Sequence, residues 1–373
     1  MKLPHMAKTT HIAPDETCSP DLIAEVQRVL ESGGLVLLPT ETVYGIAARA
    51  DMPAALEALA AAKGRDSAQA FTWHVGDLEC LEELGASSKI ISRLVHRYWP
   101  GPLTLVLPDI NKRMSGINSE GRVGVRFTSH KGTASILSAM PFPVAMTSAN
   151  MHGEEPACSP DDLDANIEGA LSLKVADGPA RIGESSTVLR TGRAVGEDAW
   201  QFELLREGLH NLEALRAAAG QRIVFVCTGN TCRSPLAEGL AKAALAKEIG
   251  CDHDSLPNFG FHISSAGIYA HGGGPISHHS YEQLKKRGVE LGDHRATTAT
   301  ERLLARADRI YCLSRSHLDG VLGLLPRESS EKAALLDQEG ADVPDPIGGS
   351  SSDYRRCADH ISGLISSRLS EWI

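Results

Sequence analysis

The chain has 373 residues, 42% apolar and 23% charged, and a formal net charge of -10. At roughly 100–200 residues per domain, two domains are expected, and the composition excludes a mainly disordered or collagen-like chain. No apolar run reaches the roughly 20 residues that span a bilayer, so no membrane association is expected. The acidic excess argues against a broad nucleic-acid face and stable DNA binding, but it leaves room for small cationic pockets. The eight cysteines contain no CxxC pair, so neither a zinc site nor a disulfide framework is expected. Residues 1–14 lack the apolar core of an export signal and read as an N-terminal extension, with a cytoplasmic location expected.

Residues 33–39, Gly-Gly-Leu-Val-Leu-Leu-Pro, form a uniformly apolar run that suits a strand buried on both faces. It enters the hydroxyl-rich turn Thr40-Glu41-Thr42-Val43-Tyr44-Gly45. An Ala-rich helical stretch, Asp51 to Ala62, ends at Lys63-Gly64-Arg65. Alone, those two cations would do no more than complement a helix dipole. Further along, Trp99-Pro100-Gly101-Pro102-Leu103-Thr104 turns into a strand, and Val123-Gly124-Val125-Arg126 is a strand that ends on a cation. The strings Thr147-Ser148-Ala149-Asn150, Ser185-Ser186-Thr187-Val188 and Leu204-Leu205-Arg206 follow. Arginine and hydroxyl groups recurring at strand ends suit a polyanion such as a triphosphate.

Taken together, over about residues 15–219, these strings resemble the YrdC/Sua5 family of L-threonylcarbamoyladenylate synthases. The resemblance implies an α/β domain with a twisted mixed sheet and helices. It implies a reaction of L-threonine, bicarbonate and ATP with Mg²⁺ that gives threonylcarbamoyl-AMP and pyrophosphate, with the tRNA threonylcarbamoyl-transfer machinery as a partner. Carried onto this sequence, the family's ATP-binding residues fall on Lys63, Arg65, Ser148, Asn150 and Arg206, and its threonine-binding residues on Thr42, His74, Arg126 and Ser186. Two positions depart from the family pattern: Asp66 stands where a proline is usual, and His152 where a serine is usual. A degenerate nucleotide- or tRNA-binding module is the alternative reading of this half.

Leu212 to Ala219 reads as a helix with Asn211 as its N-cap and Gly220 at its C-terminus. The expected boundary therefore falls at Gly220, between a domain of residues 15–219 and a second of residues 220–373.

The second half opens on an apolar strand, Arg222 to Cys227, that runs into Thr228-Gly229-Asn230-Thr231-Cys232-Arg233-Ser234-Pro235 and a helical pattern. A cysteine at the end of a parallel strand sits where α/β folds bind ligands, and the loop can turn its N–H groups onto an anion. Ser234 is expected as the helix N-cap, with Pro235 in the first turn. A thiol at this helix end beside Arg233 suits a thiolate nucleophile for phosphorus, and the guanidinium fork matches two phosphoryl oxygens. The leaving group then needs an acid, which Asp345 in the loop Val343-Pro344-Asp345-Pro346 can supply; a plain turn aspartate is the equal alternative.

These residues, with Ser264-Ser265-Ala266-Gly267 and Asp293-His294-Arg295, resemble the low-molecular-weight protein phosphatases. The resemblance implies a flavodoxin-like four-stranded parallel sheet and no metal or other cofactor. It implies Cys227 as nucleophile, Arg233 as transition-state clamp, and Asp345 as general acid and then base. Thr228, Gly229, Asn230, Thr231, Cys232 and Ser234 would form the phosphate loop, with Ser265 and His294 supporting it. Thr231, together with Asp345-Pro346-Ile347, is similar to the protein-arginine-phosphatase branch, which implies a phosphorylated protein as substrate and phosphoarginine preferred over phosphotyrosine. A tyrosine phosphatase and an arsenate reductase-like enzyme are the alternatives. Cys232 reads either as a small buried residue or, by the resemblance, as a partner for a reversible disulfide with Cys227.

Overall fold

The computed structural model describes residues 7–13, 16–64, 70–114, 116–151 and 153–373. Arg65, Asp66 and His152, all singled out above, lie outside the described residues. The chain divides into two compact units, Met1–Leu215 and Arg216–Ile373. The expected helix forms as Leu212–Ala219 and contains that division.

In the first unit, ten strands make one mixed sheet. They are β1 (Lys8–His11), β2 (Leu35–Leu38), β3 (Gly45–Arg49), β4 (Thr72–His74), β5 (Leu103–Pro108), β6 (Arg122–Arg126), β7 (Val144–Ser148), β8 (Leu171–Ala176), β9 (Thr187–Gly192) and β10 (Gln201–Arg206). Their order is β1-β8-β2-β3-β7-β4-β6-β5-β9-β10. The first strand corrects the expected extension: Lys8–His11 pairs in parallel with β8, so part of residues 1–14 belongs to the sheet. Its outward side chains are too polar to show as a buried run, which is why pattern alone misses an edge strand. The all-apolar β2 is buried along its whole length, as expected of a central strand. Over it packs the helix Pro20–Glu31, started by the Ser19 hydroxyl accepting from the Leu22 N–H and by Pro20 in its first turn. Its Leu22, Val26 and Leu30, at four-residue spacing, join Val36, Leu38, Val144, Met146, Leu173 and Val175 in one core.

The second unit is a four-stranded, all-parallel sheet of β11 (Arg222–Cys227), β12 (His262–Gly267), β13 (Arg309–Cys312) and β14 (Ala333–Leu335), in the order β12-β11-β13-β14. The central β11 explains why an uninterrupted apolar run was needed. Val224 and Val226 pack with Ala266, Leu304, Ile310 and Val321 on one face. On the other face, Phe225 stacks on Tyr311 at 5.8 Å and meets the edge of Trp372 at 6.5 Å. Burying such side chains contributes roughly 1.5–3 kcal/mol each. Gly220 lies against the backbone of Gly260, where an added methyl would come within 1.9 Å of the Gly260 carbonyl oxygen. The entry to β11 therefore depends on a residue without a side chain.

Candidate functional site

In the second unit, Cys227 ends the buried strand β11, and the chain turns at once into the helix Arg233–Ile249. Asn230 makes that turn possible. It is fully buried with φ of 53°, a left-handed conformation that asparagine tolerates and that needs outside support. Its side chain supplies the support by donating from Nδ2 to Ser234 Oγ at 2.9 Å and to Ser265 Oγ at 2.8 Å. Its Oδ1 accepts from the Thr297 N–H at 2.7 Å, and its carbonyl lies 2.9 Å from His294 Nε2. Gly267, at the end of β12, lets the loop lie close: a Cβ there would stand 2.6 Å from the Thr228 carbonyl oxygen.

Ser234 is not the helix N-cap. The helix begins at Arg233, and Cys232 holds the cap position without a side-chain bond to the first turn. The Ser234 hydroxyl is instead taken up by the loop, accepting from Asn230 and lying 2.9 Å from Cys227 Sγ and 3.2 Å from the Ala266 carbonyl oxygen. As the second residue of the helix, Ser234 stands past the position whose side chain caps it, and its hydroxyl bonds to the loop and to the end of β12 instead. Arg233, 7% exposed, donates from Nη1 to the Val343 carbonyl at 3.2 Å and from Nη2 to Asp345 Oδ2 at 2.6 Å. The half-exposed Asp345 carboxylate is thus paired with Arg233, which follows Cys227 by six residues. Thr231 lies in the same loop, its Oγ1 3.7 Å from Cys232 Sγ. Cys227 and Cys232 are both free thiols, and Cys232 Sγ rests 3.4 Å from the Tyr354 hydroxyl.

In the first unit, a polar cavity of about 100 Å³ is lined by His74, Thr104, Arg126, Ser148, Ser186 and Arg206. Strand register collects much of it: His74 on β4 is level with Arg126 on β6, which is level with Thr104 on β5. Thr104 Oγ1 lies 2.8 Å from Ser186 Oγ, and Arg206 donates to the Ser186 carbonyl at 2.9 Å and to its hydroxyl at 3.0 Å. Arg126 donates from Nη2 to Thr42 Oγ1 at 2.7 Å and to Glu41 Oε1 at 2.8 Å. Lys63 follows the helix Pro53–Ala62, but it is only 3% exposed. Rather than serving the helix dipole, its ammonium donates to the Ser148 carbonyl at 2.8 Å and to Asn150 Oδ1 at 2.9 Å. Lys63, Ser148 and Asn150 are therefore one cluster; Arg126, Ser186 and Arg206 stand with His74 around the cavity, and Thr42, fully buried, is tied to it through its bond from Arg126.

The charges at this site are tuned by burial. Burial works to raise the Glu41 carboxyl, but Arg126 and the Thr128 hydroxyl outweigh it and hold it below the usual carboxylate range. Burial, and next Arg126, push His74 down to about 3, so its ring is neutral at pH 7. Burial, and next Arg126, also lower Arg206. Two guanidiniums line the cavity and only that of Arg126 is bound to the buried Glu41 carboxylate, so positive charge is in excess there. Among the described residues, no group of three or more His, Cys, Asp or Glu side chains could hold a metal ion.

Reading residue types missed four supporting side chains. Glu41 was visible in its string but carried no chemical signal of its own. Thr128, which donates to Glu41, lies in the loop just past the strand read to Arg126, and Glu238, which accepts from Ser265 Oγ at 2.7 Å, lies in the helical run after the loop. His317, 2.8 Å from Thr228 Oγ1, comes from a helix far along the chain.

A model of the Sua5/YciO/YrdC family, described as "Telomere recombination", matches residues 28–208. A model described as "Low molecular weight phosphotyrosine protein phosphatase" matches residues 222–371. The "Threonylcarbamoyl-AMP synthase" of Bacillus subtilis is 30% identical over 58% of this chain, which spans 62% of that relative's length. The "Threonylcarbamoyl-AMP synthase" of Chromohalobacter salexigens is 34% identical over 41% of this chain and 84% of its own. The "Protein-arginine-phosphatase" of Geobacillus stearothermophilus is 34% identical over 40% of this chain and 94% of its own.

Proposed function

The chain belongs to two enzyme families, Sua5/YciO/YrdC through residues 28–208 and the low-molecular-weight phosphatases through residues 222–371, and on that premise we propose that it is bifunctional. The first unit makes L-threonylcarbamoyl-AMP from L-threonine, bicarbonate and ATP. The second hydrolyses phosphorylated protein, with phosphoarginine preferred over phosphotyrosine.

For the phosphatase, the observation that carries the reading is the pairing of Arg233, six residues past Cys227, with Asp345. The Cys227 thiolate attacks phosphorus while the Ser234 hydroxyl, 2.9 Å away, steadies the sulfur. Arg233 exchanges its bond to Asp345 for two equatorial phosphoryl oxygens, a bidentate fit that neutralises charge as the transition state forms. Asp345, released from Arg233, takes up a proton from solvent and passes it to the leaving group as the S–P bond forms and the bond from phosphorus to that group breaks, and a phosphocysteine remains. The same carboxylate then takes a proton from the water that cleaves the S–P bond. Thr231 supports the phosphoarginine preference, since its hydroxyl in the loop can hold a polar phosphoramidate or a water as an aliphatic side chain cannot.

For the synthase, the supporting observation is the cationic cavity of Arg126 and Arg206 beside the Lys63–Ser148–Asn150 cluster. We place ATP, with its Mg²⁺, at Lys63, Arg65, Ser148, Asn150 and Arg206. Threonine lies at Thr42, His74, Arg126 and Ser186. Neutral His74 accepts or donates a hydrogen bond there without adding a third positive charge. The threonine carbamate then attacks the α-phosphorus, and the enzyme's part is positioning and neutralising the departing pyrophosphate. The product would pass to the tRNA threonylcarbamoyl-transfer machinery. Labelled threonine, bicarbonate and Mg-ATP should give threonylcarbamoyl-AMP, and a yield no greater than that of Lys63→Ala would favour a degenerate module instead.

A further inference from the structure

His317 belongs to neither set of residues read from the sequence, yet it stands directly behind the phosphatase loop. It is 4% exposed, in the first turn of the helix Arg315–Leu324. Its Nε2 lies 2.8 Å from Thr228 Oγ1 and its Nδ1 lies 2.8 Å from Ser314 Oγ. Thr228 Oγ1 in turn accepts from Arg233 Nη2 at 3.5 Å. Two hydrogen bonds therefore connect a buried imidazole to the Arg233 guanidinium, and a third, to Ser314, fixes the far side of the ring.

Donor bookkeeping fixes the polarity of this chain. A guanidinium can only donate, so the Thr228 oxygen receives from Arg233 and its own proton is free to go elsewhere. A neutral imidazole has one lone pair and one N–H. Burial, and next Arg233, push His317 down to about 4, against the opposing pull of Asp345 and Asp342, so the ring is neutral at pH 7. The arrangement that satisfies every group has Thr228 donating to Nε2 and the Nδ1–H donating to Ser314 Oγ.

We propose that His317 is a positioning residue for the phosphatase reaction, acting through Thr228 to hold the Arg233 guanidinium in its phosphate-binding plane. The need for such a strut follows from the groups that bind Arg233. Arg233 is held by the Val343 carbonyl, by Asp345 and by Thr228. Asp345 must leave when phosphate arrives, because its oxygen occupies an N–H that the phosphoryl group requires. Val343 and Thr228 are the contacts that do not compete with substrate. Without His317, the Thr228 hydroxyl would rotate towards solvent, and Arg233 would lose its second fixed point. The inference rests on Arg233 as clamp, but not on which phosphorylated residue is the substrate.

The test uses the full chain with para-nitrophenyl phosphate, a phosphoarginine peptide, and orthovanadate as transition-state mimic. Thr228→Val and His317→Ala should each weaken vanadate and lower kcat/KM for both substrates about tenfold, the weight of one hydrogen bond, with the thermal midpoint of Thr228→Val unchanged. The double variant should lose no more than either single one, and His317→Gln, which keeps an acceptor and a donor, should recover most of the loss. The ring ¹⁵N shifts of His317 should identify Nε2 as the unprotonated nitrogen. Unchanged vanadate affinity in Thr228→Val, additive losses in the double variant, or a protonated Nε2 would each overturn the proposal. A wild-type chain that binds no vanadate and hydrolyses neither substrate would instead overturn Arg233 as clamp, the reading on which the proposal rests.

Discussion

The two units gather their cationic and hydroxyl side chains by opposite constructions. In the second, five consecutive residues, Thr228 to Cys232, join the strand ending at Cys227 to the helix beginning at Arg233, and Asp345 comes from a distant loop. In the first, the cationic groups arrive on separate strand ends and on a helix terminus, and strand register brings them level. The contiguous cradle ties precision to one buried left-handed residue, Asn230, and four hydrogen bonds. The dispersed site ties it to the sheet as a whole. Loss of the one thiol at the end of β11 should therefore be all-or-none, and loss of one cationic group in the first unit graded.

The largest expected effect is at the contiguous site. Cys227→Ser should lower phosphatase kcat by about 10⁴-fold or more, because no second group can serve as nucleophile. Phosphate release assays on the purified chain would show it, and a residual rate within tenfold of wild type would break the comparison. At the dispersed site, Lys63→Ala should cost about 10²–10³-fold in threonylcarbamoyl-AMP formation, the scale of one preorganised charge. A loss as total as that of Cys227→Ser would mean the first unit is not graded.

Smaller effects sharpen the chemistry. Thr231→Ile should shift the ratio of kcat/KM about tenfold from phosphoarginine towards phosphotyrosine, the weight of one lost polar contact. An unchanged ratio would remove the phosphoarginine preference. Each unit also carries a buried histidine that stays neutral when folded, with a folded value of about 3 for His74 and about 4 for His317. Unfolded chains protonate these rings below about pH 6.5, so the unfolded state binds more protons and stability falls as pH drops. The expected slope is about 1.4 kcal/mol per pH unit for each ring, from pH 6.5 down to its folded value. Urea unfolding at several pH values would read it, and His317→Asn should flatten the slope of the second unit alone.

The same contrast governs what the sequence made legible. Cys227 and Arg233 could be read as close because neighbours in sequence are neighbours in space, whereas Asp345 reaches Arg233 from 112 residues away. The expected cap at Ser234 failed because the helix starts one residue before it, which leaves its hydroxyl to the loop. In the first unit the strings identified Arg126, Ser148, Ser186 and Arg206, but not that Lys63 would be buried against Ser148 and Asn150. Nor did they mark Glu41 as the carboxylate that offsets Arg126. The strand Lys8–His11 was missed because polar edge residues leave no apolar pattern. Pairing across a sheet is decided by register, and register has no signature in a local window.

The most direct test of two separate catalytic units in one chain is a paired assay on intact protein, with Lys63→Ala and Cys227→Ser measured beside wild type. Wild type should form threonylcarbamoyl-AMP and release phosphate from a phosphoarginine peptide, and each variant should lose its own product. Wild-type protein that yields no more threonylcarbamoyl-AMP than Lys63→Ala, or no more phosphate than Cys227→Ser, would contradict the account.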